Sequence, residues 1–170
     1  MADEFASIVT SALEHPPTAD AMPFPVDDAP DLAPVAADTT LTAVRAAANA
    51  PLPWGRPPDG VVPPGWAHRA AACELVGPDG AITGLGPERF GLFFLSDDLE
   101  YPDHWHNAEE FYLVLAGSAD WTVDGVTTRR YAGEWSYTPV QAVHRIVTHD
   151  QPVLAAWGWA GDTSFDSYDY

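Results

Sequence analysis

The stretch YPDHWHNAEEFYLVLAG, residues 101 to 117, puts His104, His106, Glu110 and Tyr112 at even positions of a strand-like run. Residues two apart in an extended chain share a face, so on one strand these four side chains point the same way. A half-buried strand normally turns Val, Ile or Leu inward. An inward set of ionisable groups is costly unless the groups are paired, hydrogen-bonded or bound to a metal. A further histidine, His144, opens the later segment HRIVTH. Neutral imidazoles plus one carboxylate suit a divalent Zn, Fe, Mn, Co or Ni ion, and the single cysteine, Cys73, offers no thiolate set. Three imidazoles and a carboxylate leave one or two positions open on a five- or six-coordinate ion, which a catalytic metal needs. A lone histidine is more often a hydrogen-bonded core residue. Four candidate ligands at these spacings are read as a metal site.

The elements that must position these residues are short strands. From about residue 69 the chain reads HRAAACELV, RFGLFFLS, EEFYLVLAG, ADWTV, VTTRRY, GEWSYTPV, HRIVTH and PVLAAWGWAG, with turn signals roughly every ten residues. Asp124-Gly125 is a strong two-residue hairpin signal. Seven or eight such strands predict an all-β sandwich or barrel over 67–162. Ahead of it, residues 3–14 carry the stripe Phe5, Ile8, Val9, Ala12, Leu13 of an amphipathic helix, ended by His15-Pro16-Pro17. A second helix is expected over 39–49, with Asp38 as its N-cap. Residues 51–66 hold six prolines in sixteen positions, so they form a connector or a belt anchored by Trp54 and Trp66. The N-terminal 1–66 extension is expected to cover one mouth of the barrel. The tail 163–170, within the stretch DTSFDSYDY that starts at Asp162, is polar, acidic and expected to be peripheral.

Composition narrows the function classes. The chain has 170 residues, 46% of them hydrophobic, and a net charge of −18, which argues against nucleic acid and anionic membranes as partners. All seven basic residues are arginine, so no lysine Schiff base can form. No run reaches the roughly 18–20 apolar residues that span a bilayer. The acidic N-terminus lacks a basic region followed by an apolar block, so a cytoplasmic location is the expectation. Cys73 is read as a small buried apolar residue.

Two spacings, His104-x-His106-x3-Glu110-x6-Gly117 and Gly133-x5-Pro139-x4-His144, resemble the paired motifs of the cupin superfamily, with Thr148 where the second motif usually ends in asparagine. The longer string from Tyr101 to Gly117, with His144, Trp157 and Trp159, is similar to the cupin-type dimethylsulfoniopropionate lyases. That resemblance covers roughly residues 88–160. It implies a double-stranded β-helix (jelly-roll) barrel holding one divalent transition metal through His104, His106, Glu110 and His144. It further implies cleavage of dimethylsulfoniopropionate, a small zwitterion, to dimethyl sulfide and acrylate by β-elimination. Many cupins dimerise, which extends to a homodimer here by analogy.

That chemistry needs a base within hydrogen-bond reach of the proton next to the substrate carboxylate. Tyr112 lies two residues beyond Glu110 on the inward face and is the expected base, and the resemblance assigns it the same role. Tyr101 is the expected second tyrosine, orienting substrate or relaying a proton. Aromatic faces hold sulfonium methyl groups, and Trp159 and Trp157 share a face of the last strand as candidate pocket walls. Arg89 and Arg145 are weighed as carboxylate binders against surface ion pairs. Glu109 is expected to be solvated or paired with Arg129 or Arg130. Two alternatives stand beside the lyase: a metal cupin acting on another small carboxylate as a dioxygenase or isomerase, and a non-catalytic ligand-binding cupin. A sensor is disfavoured because no helix-turn-helix or basic patch accompanies the barrel.

Overall fold

The structure, a computed structural model, describes residues 30–33, 35, 52, 54, 55, 69–78 and 88–169. The helices expected over 3–14 and 39–49, together with Trp66, His15 and His68, lie outside the described residues. Eight strands are present among the described residues: β1 (Ala70–Val76), β2 (Arg89–Leu95), β3 (Glu100–His104), β4 (Ala108–Val123), β5 (Val126–Tyr131), β6 (Trp135–Thr138), β7 (His144–Val147) and β8 (Val153–Gly161). They form one curled antiparallel sheet in the order β1-β2-β8-β4-β7-β3, with β5 and β6 also on β4. The all-β cupin architecture is borne out. No helix among the described residues is long and apolar enough to cross a membrane.

β4 is the hinge of the barrel. Its first half pairs with β8 and β6, and its second half with β5 and β7, so one strand serves both walls. The register shifts between Val114 and Ala116, and Gly117 takes φ +76. A Cβ on Gly117 would fall 1.8 Å from the Pro152 carbonyl oxygen, so only glycine fits both the backbone angle and the space. EEFYLVLAG and ADWTV are therefore one bent strand of 16 residues rather than two strands and a turn. The bulge also inverts the inward parity. Glu110 and Tyr112 face inward before it, and Ala119 and Trp121 join the same interior after it. The Asp124-Gly125 hairpin is as expected, with φ of +47 and +79, the pair of positive angles that a type I′ turn requires.

β2 reads as a continuous apolar run because it is buried on both faces. Phe93 and Leu95 enter the barrel interior with Tyr101, Tyr112, Ile146, Trp157 and Trp159. Leu92 and Phe94 face outward into a second cluster with Cys73, Leu75, Leu154, Leu32, Val35, Leu52 and Trp54. Gly55 bridges to Ala72 on β1. The described part of the 1–66 extension thus packs on the outer face of the β1-β2-β8 wall. It lies away from the interior face that carries the candidate ligands. Cys73 is fully buried there, and burial pushes its thiol up to about 12, so it behaves as an apolar side chain.

Candidate metal centre

His104 ends β3 and stands directly across the ladder from His144, the first residue of β7, with ring centroids 4.0 Å apart. Glu110 comes from β4, flanked in register by Trp159 on β8 and Thr138 on β6. His106 sits on the connection between β3 and β4. The single strand expected to carry three ligands is therefore corrected to a strand, a connection and a second strand. Six residues of extended chain would hold His104 and Glu110 about 20 Å apart, which no ion can bridge. The connection at 105–107 leads from β3 on one wall to β4 on the other, and candidate ligand atoms of His104, His106, Glu110 and His144 lie within 4.8 Å of one another. The β3–β7 register shifts between Tyr101 and His104, next to Pro102, which has no N–H to give to a ladder.

Local hydrogen bonds fix each imidazole. The Nδ1 atoms of His104, His106 and His144 bond to the carbonyls of Pro102 (2.7 Å), Ala108 (3.1 Å) and Ala142 (2.9 Å), each two residues away. A carbonyl can only accept, so Nδ1 carries the proton and Nε2 is the ring atom with a lone pair that can ligate a metal. His144 Nε2 lies 3.0 Å and His106 Nε2 3.6 Å from Glu110 Oε2. These three atoms are buried without a geometrically sound hydrogen bond, an arrangement that a shared cation would satisfy. The other carboxylate oxygen, Oε1, accepts a 2.7 Å bond from the Trp159 indole N–H, which aims Oε2 at the histidines. The two ligand-bearing connections are tied together, because Gln141 N donates to the His106 carbonyl (2.9 Å) and Gln141 Nε2 to Asn107 Oδ1 (3.1 Å). The donor set fits a divalent transition ion.

The electrostatics of the metal-free cluster agree with that reading. Burial alone pushes the Glu110 carboxyl up, but attraction to the adjacent His106 and His144 rings outweighs it and holds the group well below the usual carboxylate range. Burial pulls His144 down, yet Glu110 wins and raises it. Burial, with repulsion from His144, lowers His104 to about 3, so that ring is neutral at physiological pH.

Tyr112 is buried beside this cluster, its phenol pushed well above 10 by burial and then by the Glu110 charge. Tyr101 stacks on the His104 ring at 4.2 Å. Its hydroxyl is hydrogen-bonded to that of Tyr168. Tyr168 belongs to the tail expected to be peripheral, and that expectation is corrected. Phe165 packs on Trp159 at 5.5 Å, and the Arg89 guanidinium lies 4.1 Å over the Phe165 ring. Asp169 exchanges two backbone bonds with Trp105, of 2.9 and 3.0 Å. The signal available in the sequence was the pair Phe165 and Tyr168, two aromatics three apart in an acidic segment.

Trp157 is packed beside Trp159 and donates its N–H to the Leu92 carbonyl (3.2 Å). Arg89 is buried in a 2.6 Å ion pair with Glu74, and Arg145 faces Asp103 at 3.9 Å. Glu109 accepts from Tyr137 (3.0 Å) rather than pairing with Arg129, which faces Asp120 and Asp150. The cause is register: β6 lies beside the first half of β4 and β5 beside the second. His149 pairs with Asp120 (2.9 Å). Thr148 is buried and accepts from Leu99 N (3.0 Å), tying β7 to the entry of β3. A groove of about 520 Å³ at the β4–β5–β6 edge, lined by Phe111, Trp121, Trp135 and Tyr137 among others, contains none of the four candidate ligands.

A family model described as dimethylsulfoniopropionate lyase matches residues 5–155. The chain belongs to the dimethylsulfoniopropionate lyase family. Among relatives in that family, dimethylsulfoniopropionate lyase DddQ of Ruegeria pomeroyi is 33% identical over 95 residues, 55% of this chain and 47% of DddQ. DddW of the same organism is 39% identical over 67 residues, 39% of this chain and 43% of DddW. The matched stretches span less than half the length of these curated relatives. A solved structure described as DMSP lyases RdDddP and RnDddQII superposes with a TM-score of 0.71 at 20% identity, covering 95% of this chain and 98% of that one. The crystal structure of DddQ from Ruegeria pomeroyi gives 0.62 at 24% identity, covering 92% and 73%. Both likenesses establish the fold.

Proposed function

We propose that this protein is a metal-dependent carbon–sulfur lyase that cleaves dimethylsulfoniopropionate to dimethyl sulfide and acrylate. The observation that carries the reading is the convergence of His144 Nε2, His106 Nε2 and Glu110 Oε2, buried and unsatisfied, beside His104 and a buried tyrosine two residues from Glu110. Membership of the lyase family supports it. A divalent ion held by His104, His106, Glu110 and His144 would supply Lewis acidity to the substrate carboxylate and the positive charge that favours a phenolate at Tyr112.

The remaining work falls to the chain. Tyr112 takes the proton from the carbon next to the carboxylate, and the C–H pair becomes the new C=C bond. The C–S pair then leaves on sulfur as neutral dimethyl sulfide. No electron is gained or lost, so no oxidant is needed. Tyr101, stacked on His104, orients the substrate. Trp157 and Trp159 furnish aromatic surface for the sulfonium, a contact worth about 0.5–2 kcal/mol. Burial of all four ligands excludes water, which strengthens each electrostatic contact in the site.

The test is headspace dimethyl sulfide from metal-loaded protein given dimethylsulfoniopropionate, with Tyr112→Phe beside it. Release that collapses in the Phe variant at unchanged metal content supports lyase and base together. No release from folded, metallated protein removes the substrate assignment and turns attention to other small carboxylates.

A further inference from the structure

The four candidate ligands are each no more than 3% exposed, so something must cover them, and the C-terminal segment does. Tyr168 lies half-buried over their rings, stacked at 5.2 Å on His104 and 6.1 Å on His106. We propose that residues 162–169 form a strap that closes the metal centre, with Tyr168 as the positioning residue that holds Tyr101. The second part rests on the lyase reading above; the first does not.

The strap is fastened at three places. At its start, Arg89 Nε donates to the Thr163 carbonyl (3.0 Å). In the middle, Phe165 is held between Trp159 and Arg89, and the turn Phe165–Ser167 is capped by Ser164. At its end, Asp169 pairs with Trp105, the residue between His104 and His106. Asn107 adds two links, its backbone N–H donating to Ser167 Oγ (3.2 Å) and its amide to Asp162 Oδ2 (3.2 Å). The cover is thus tethered to the connection that carries His106. Several of its polar links are exposed to water, and its apolar packing comes from two side chains, Phe165 and Tyr168. Such a segment opens at far lower cost than the barrel strands. Substrate entering from this side must displace it, and closure then brings the Tyr168 hydroxyl onto Tyr101, whose ring lies on His104.

The experiment uses the full chain loaded with Co(II) or Zn(II) and three variants: a chain ending at residue 162, the pair Phe165→Ala with Tyr168→Ala, and Tyr168→Phe. The first readout is the rate of metal transfer to a chromophoric chelator, which does not depend on any substrate. Loss of the strap, by truncation or by the paired substitution, is expected to speed transfer about tenfold or more, whereas Tyr168→Phe keeps the ring and leaves the rate near that of the parent. If the truncation is poorly folded, the paired substitution decides. A transfer rate unchanged in folded strap variants overturns closure. The second readout is turnover of dimethylsulfoniopropionate. Tyr168→Phe is expected to lower kcat about tenfold with KM within about a factor of two, the pattern of lost positioning. Unchanged kcat refutes the positioning role. Absence of turnover in the parent itself removes the lyase reading and leaves the strap to be judged on metal transfer alone.

Discussion

Trp159→Phe separates two roles that this indole could have. On β8 its N–H donates to Glu110 Oε1 at 2.7 Å, and its ring sits 4.3 Å from that of His106. Phenylalanine keeps an aromatic face and deletes the donor. A hydrogen bond to a charged acceptor contributes about 1.5–3 kcal/mol. At about 1.4 kcal/mol per factor of ten, losing it should weaken metal binding about 10- to 150-fold. Substitution of the outer partners of metal ligands typically costs about 10- to 100-fold, so two independent routes reach the same range. The assay is competition for Zn(II) or Co(II) against a chelator of known affinity, on protein shown by circular dichroism to be folded. Metal-free stability is measured alongside, because the smaller ring also leaves space in the interior cluster. An affinity within about twofold of the parent, in folded protein, would show that Glu110 is held without Trp159 and that the indole only packs.

Other consequences follow from the same geometry. Glu110 raises the His144 imidazole above its ordinary 6.5, so in the metal-free protein the folded state holds that proton more tightly than the unfolded one. Its contribution to stability is present below 6.5 and is lost as pH rises through the folded value. Metal must displace the proton, so uptake near pH 6.5 should release more protons than uptake at higher pH, as read by calorimetry in buffers of different ionisation enthalpy. His104, lowered to about 3, contributes none in that window; proton release that does not fall as pH rises would contradict the assignment. Gly117→Ala sets a Cβ 1.8 Å from the Pro152 oxygen at φ +76 and should cost about 3 kcal/mol or more in urea unfolding. A loss below about 1 kcal/mol would mean that the bend is not fixed there.

Much of the site was legible because side-chain alternation is local. The even parity of Glu110 and Tyr112, the hairpin at Asp124-Gly125 and the register of Trp157 with Trp159 all survive in the fold. Parity failed where the chain stops being a strand. His104 and Glu110 belong to opposite walls, and the connection at 105–107 is held by bonds to Asp169 and Gln141, far along the sequence. The bend at Gly117 is likewise set by the approach of Pro152. The tail was misjudged because its acidic composition outweighed Phe165 and Tyr168, whose docking depends on Trp159, Arg89 and His104 being already assembled.

The most direct measurement is restoration of activity to metal-stripped protein by titration with a divalent transition ion, following dimethyl sulfide release from dimethylsulfoniopropionate. The account expects no release without metal and a rise that breaks at one equivalent, with His144→Ala failing to recover at the same metal concentration. Full activity in rigorously metal-free protein, or undiminished recovery in His144→Ala, would contradict it.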